Sequence, residues 1–212
     1  QGVKEPDGAT GAVDRALDGT ISGLIEDGEI SGKPGEMTLI HTLGKMSPSR
    51  VLVAGLGKQA DFTADTVRSV AANSVRHLRR IAVQRVATIA HGAGIAGLDA
   101  ETVGRAMAEG SALGLYRFDK YKTDPDDRPG LDEVTIVEID PDKVAALEEG
   151  VSQGSIVADA VNLCRDMVNE PANSMTPTRM AEVALEVAND CGLGIEVLDR
   201  PEMAEMSMGA LL

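Results

Sequence analysis

Three observations predict an α/β fold with a largely parallel sheet and helices on both faces. Helical and strand-like segments alternate along most of the chain. Residues 50–56, RVLVAGL, are apolar on consecutive positions, as in a strand covered on both faces. The 212 residues are 43% hydrophobic and 25% charged, enough for a sizeable core.

Residues 10–27 read as the first helix, with Thr10 as its cap and Val13, Leu17, Ile21 and Leu24 at helical spacing. Gly28 suits the left-handed residue that ends it. Residues 36–43, EMTLIHTL, form a strand in which His41 is structural. Gly44 and Pro48 lie in the loop before the 50–56 strand.

A second helix spans residues 63–80, with Val67, Val70, Ala71, Ser74, Val75 and Leu78 as its buried stripe and His77 solvated. Asp61 and Asp65 at its start and Arg76, Arg79 and Arg80 at its end suit the helix dipole. Residues 85–90 are a strand. Asp99 caps a third helix through residue 115, in which Gly104, Gly110 and Gly114 each cost roughly 1 kcal/mol against alanine. Close packing on a neighbour is a reason to keep them.

Residues 114–122, GLYRFDKYK, hold three of the four aromatic side chains, expected to close the helix end over the core. A polar loop at 122–132 precedes a strand at 133–139. Pro141 and Asp142 open a long helix to about residue 168, with a weak point at Gly150 and Gly154. Thr176 followed by Pro177 starts another helix. Its stripe is Met180, Val183, Ala184, Val187 and Ala188, and Gly192 ends it. A short strand at 195–198 and a final helix from about Pro201 follow.

Formal net charge is −14, a field that repels nucleic-acid phosphates and anionic membranes, so neither is an expected partner. No apolar run reaches eighteen residues, and no membrane span is expected. Cys164 and Cys191 form no disulfide framework and fall at apolar helix positions, so they are expected as buried reduced thiols in a cytoplasmic protein.

Few constellations carry chemistry. Residues 55–60, GLGKQA, fit the dinucleotide pattern, but no acidic residue ends the next strand to hold a ribose. That counts against an NAD(P) oxidoreductase. Residues 91–97, HGAGIAG, lie where α/β proteins place ligand loops. Gly55, Gly57, Gly92 and Gly94 are therefore the candidate ligand-loop residues. The three histidines and two cysteines show no metal-ligand spacing, and no nucleophile elbow is present. Asp166, Asn169 and Glu170 are read as fixing linker geometry.

The run at residues 162–177, NLCRDMVNEPANSMTP, resembles the leucyl aminopeptidase (cytosol aminopeptidase) family, whose pattern is close to N-L-A-R-D-L-V-N-x-P-x-N-x-x-T-P. Asn162, Leu163, Arg165, Asp166, Val168, Asn169, Pro171, Asn173, Thr176 and Pro177 match it. Gly35 and Glu36, the 53–58 segment, and Tyr116 to Phe118 fall in the expected order upstream.

The resemblance implies a macro-domain-like three-layer helix–sheet–helix sandwich with a mostly parallel mixed sheet at residues 1–140. A connecting helix and linker at 141–172 and the beginning of a truncated second α/β domain at 173–212 would follow. It also implies a dimetal hydrolase, with two manganese or zinc ions, that releases N-terminal residues from peptides and assembles as a homohexamer. In the family the metal ligands and the N-T-D-A-E-G-R motif lie beyond the G-A-L-L run. No catalytic or metal-ligating residue is therefore carried over here, no cofactor is expected on this portion, and it is expected to be inactive by itself. The alternative is an autonomous macro-like module binding ADP-ribose or a nucleotide.

Overall fold

The structure, a computed structural model, describes residues 1–3, 5–92, 97–124 and 130–212. The chain forms two compact units, Gln1–Asn162 and Leu163–Leu212. The division falls inside the expected connecting helix.

The first unit is α/β with both parallel and antiparallel strand pairing. Where one helix was expected at 10–27 there are two, α1 (Gly8–Ala16) and α2 (Thr20–Glu26). Asp7, not Thr10, caps the first by accepting from the Gly8 amide at 2.7 Å. The chain breaks at Asp18 and Gly19, both with positive φ. Buried Asp14 reaches over the break and accepts from Ile21 N at 2.7 Å, Ser22 N at 3.1 Å and Ser22 Oγ at 2.6 Å. It thus satisfies amides of the first turn of α2 that have no intrahelical partner. Leu17 before the break and Ile21 after it join one cluster with Ile30 and Ile40, so the apolar spacing conceals it. Gly28 is left-handed, as expected.

Strand β1 (Met37–His41) pairs antiparallel with β2 (Arg50–Ala54), from Met37 opposite Ala54 to His41 opposite Arg50. Every residue of β2 is half-buried. Thr42, 1% exposed, closes the connection by donating its hydroxyl to Pro48 O at 2.7 Å. His41 is exposed at the strand end.

Helix α3 (Ala64–Arg80) starts at Thr63, which forms a capping box with Thr66, and it buries all of its expected stripe except half-buried Ser74. Strand β3 (Arg85–Ile89), helix α4 (Ala100–Leu115) and strand β4 (Glu133–Val137) form a parallel β–α–β crossover, with Asp99 capping α4 as expected. Val86, Thr88, Val134 and Ile136 are the half-buried positions of that sheet, and the alternate positions face solvent. The core joins Phe62, Val67, Val103, Ala106, Met107 and Leu147.

Two arginines, one from α3 and one from β2, meet carbonyls at helix C-termini. Arg79 Nη1 donates to the Leu115 carbonyl at 2.9 Å, and Arg50 Nη1 reaches Ile81 O at 3.4 Å.

Helix α5 (Pro141–Asn169) is continuous for 29 residues, so the expected weak point at Gly150 and Gly154 is not one. Those glycines are where α5 touches α4. A Cβ on Gly154 would lie 2.5 Å from Arg105 O, one on Gly104 would lie 2.5 Å from Leu147 O, and one on Gly150 would collide with Glu101 O. Gly110 and Gly114 press similarly on Arg68 and Ala72 of α3. The helical cost of these residues is offset by close backbone approach. The aromatic cluster is more open than expected: the Phe118 and Tyr121 rings lie 5.9 Å apart at a tilt of 56°, but Tyr121 is 53% exposed beneath the Lys120 ammonium.

In the second unit, α5 ends at Asn169, and the Pro171 carbonyl accepts from Ser174 N at 2.8 Å and Met175 N at 2.9 Å. Helix α6 (Pro177–Cys191) starts at the Thr176 cap and ends at left-handed Gly192, both as expected. Helix α7 (Arg200–Glu205) opens on a capping box of Asp199 and Glu202. The expected strand at 195–198 is absent: a strand needs a ladder partner, and none of the described strands pairs with it. Val183 and Ala188 are buried on α6. The buried-thiol expectation is also corrected, since Cys164 and Cys191 are both exposed. Each sits on a helix face that no described element covers.

Candidate functional site

Of the candidate ligand residues, Gly55 and Gly57 lie in the turn after β2, and Gly92 in the turn after β3. Gly94 lies outside the described residues. Gly55 is buried, its amide donates to Glu36 O at 2.8 Å, and a Cβ there would collide with the Lys33 carbonyl oxygen. Gly57 has φ +81°, donates its amide to Gly32 O at 2.9 Å and rests on the Pro34 ring. Gly92, at φ +87°, lies against the Phe62 ring.

A phosphate cradle needs several amides aimed outward at one point. Here the amides of Gly55 and Gly57 are tied to the 32–36 segment. A single 3-10 turn, Gln59–Asp61, also separates them from the start of α3, whose first turn is capped by Thr63. The glycine pattern is accounted for by close packing and positive φ.

His91 beside Gly92 is half-buried, with Nε2 3.0 Å from Thr88 Oγ1. Burial lowers its pKa and favours the neutral imidazole. Among the described residues no group of three or more His, Cys, Asp or Glu is arranged to hold a metal ion. The two divalent ions implied by the family resemblance therefore find no fitting donor set there. No chemical step is derived through them. Asp166 and Glu170 sit on the last turn of α5 and just beyond it, where the Glu170 amide donates to Asp166 O at 3.0 Å.

Three features escaped the sequence reading. Glu109, 5% exposed, accepts from Arg68 Nε of α3 at 2.7 Å and from Arg105 Nε of its own helix at 2.8 Å. Burial alone would raise its pKa, but the two guanidinium groups outweigh that and hold it below the ordinary value. Glu36 is similar: burial opposes ionisation, and hydrogen bonds from residues 31–33 overcome it. Third, a groove of about 570 Å³ between β4 and α5 is lined by Val134, Ile136, Val144 and Val151 together with Glu138 and Glu148. Their apolar periodicity was legible, but nothing local shows that the faces stay uncovered. No helix among the described residues is long and apolar enough to cross a membrane.

Residues 1–125 match the N-terminal domain of the cytosol aminopeptidase family, and residues 162–212 match its catalytic domain. A probable cytosol aminopeptidase of Alkaliphilus oremlandii is 36% identical over all of this chain and 42% of its own length. One from Roseiflexus castenholzii is 39% identical over 94% of this chain and 41% of its own. The chain thus spans about two fifths of the length of these curated relatives.

Among solved structures, Bottromycin maturation enzyme BotP in complex with Mn superposes with TM-score 0.71 at 29% identity, covering 95% of this chain and 38% of that one. A tomato leucine aminopeptidase mutant superposes at 0.78 with 21% identity, over 98% of this chain and 40% of that one, which supports the shared fold.

Proposed function

The chain belongs to the cytosol aminopeptidase family, and we propose from that premise that it is the non-catalytic N-terminal portion of a leucyl aminopeptidase. In this reading the whole enzyme is a cytoplasmic homohexamer that removes N-terminal residues from peptides with two divalent ions, manganese or zinc. This portion contributes the N-terminal domain, the connecting helix and the opening of the catalytic domain. Its role is to position subunits and shape substrate access.

The observation that carries the reading is the pair of matches in order, N-terminal domain over 1–125 and catalytic domain over 162–212. The Mn complex of BotP supports divalent metal in the whole enzyme.

The test compares the 212-residue chain with the full-length product containing it, each assayed on leucine p-nitroanilide with manganese or zinc. The full-length product should release p-nitroaniline and lose that activity to a chelator, while the chain alone stays at background. An inert full-length product removes the aminopeptidase reading. Metal-dependent turnover by the chain alone removes the assignment of a non-catalytic portion.

A further inference from the structure

The 55–57 turn is held by the 31–36 segment, and that segment is in turn organised by one carboxylate. Glu36 Oε2 accepts from three successive amides: Ser31 at 3.0 Å, Gly32 at 2.5 Å and Lys33 at 3.3 Å. Ser31 Oγ adds a fourth donor, 3.2 Å from Oε1. Consecutive amides converging on one point form a concave anion-binding arrangement, here made possible by Gly32 at φ +70°.

The network then closes on the neighbouring turn. The Gly32 carbonyl accepts from the Gly57 amide, the Glu36 carbonyl accepts from Gly55, and the Pro34 ring covers Gly57.

We propose that the amides of residues 31–33 are a built carboxylate-binding nest whose intramolecular ligand is Glu36. Glu36 is thereby a positioning residue for the 55–57 turn, and the nest, once vacated, takes a free small carboxylate. Four donors on one carboxylate are more than a local turn needs. They satisfy a charge that burial would otherwise penalise, and the lowered pKa of Glu36 agrees with that. A tethered ligand acts at an effective concentration in the millimolar range or above, so a free carboxylate standing in for it in the vacated nest must be supplied at about 0.1 M or more. The inference holds whichever reaction the whole protein performs.

Amide hydrogen exchange of the full 212-residue chain tests it. Wild type, Glu36→Gly and Glu36→Gln are compared in sodium chloride and in sodium formate of equal ionic strength. In Glu36→Gly the amides of Gly32 and Gly57 should exchange about tenfold faster or more, the effect of losing one hydrogen bond's worth of protection. Formate should restore them and chloride should not, with the wild type indifferent to either. Wild-type protection in folded Glu36→Gly, or restoration by formate no better than by chloride, overturns the proposal. If Glu36→Gly does not fold, Glu36→Gln decides: faster exchange at both amides supports it and wild-type exchange overturns it.

Discussion

Gly150 of α5 lies against the carbonyl of Glu101 on α4 with no room for a methyl group between them. Gly104 and Gly154 extend the same contact on either side, against Leu147 and Arg105. Two helix backbones therefore approach where side chains would normally separate them, and the core residue Leu147 is carried into the contact.

Gly150→Ala should accordingly lower stability by about 2–3 kcal/mol through overpacking, although alanine is the better helix former. Gly23→Ala is the matched control, since Gly23 lies within α2 with nothing within 4 Å of its added Cβ. It should gain about 0.5 kcal/mol. Urea denaturation of both variants checks the opposite signs.

Removing the buried carboxylate at α3 and α4 should also destabilise. Glu109→Ala deletes two charge-assisted hydrogen bonds, and about 2 kcal/mol should be lost. The Arg68 and Arg105 side chains are 35% and 50% exposed, so they re-enter water and limit the loss. A double-mutant cycle of Glu109→Ala with Arg68→Ala should give a coupling of about 1 kcal/mol. Strict additivity would show that the pair contributes nothing.

Stability should fall with acid in two steps. His91 has a lowered pKa, so below about 6.5 the unfolded chain binds a proton that the folded chain resists, and stability begins to slip. Asp14, Glu36 and Glu109 also have lowered pKa values. Their contribution is complete above the ordinary carboxylate range near 4 and is lost as pH falls through the lower folded values. Thermal melts across pH should lose the upper step in His91→Asn. The lower step should be shallower in Glu109→Gln.

The glycine turn should not bind nucleotides. With the Gly55 and Gly57 amides donated to Glu36 and Gly32, calorimetric titration of ADP-ribose should give no saturable heat. Saturable binding that is lost on substitution at Gly57 would restore the ligand-loop reading. Gly57→Ala itself should cost about 1–2 kcal/mol, because φ there is +81° and Pro34 occupies the space.

What the sequence determined by itself is local. The Thr63, Asp99 and Thr176 caps, the Gly28 and Gly192 ends and the α3 stripe depend on contacts within a turn or two, so spacing exposes them. The 162–177 run likewise carried the family. Tertiary structure alone decided the rest, where partners lie far apart or a face has no cover. Arg68 meets Glu109 across 41 residues, and Gly57 meets Gly32 across 25, with nothing in either neighbourhood to announce it. The helix break at Asp18 hid behind Leu17 and Ile21, whose spacing survives the turn. The 195–198 segment and the two cysteines show the converse. Local apolarity suggests pairing or burial, but each needs a second element to pair with or to cover it.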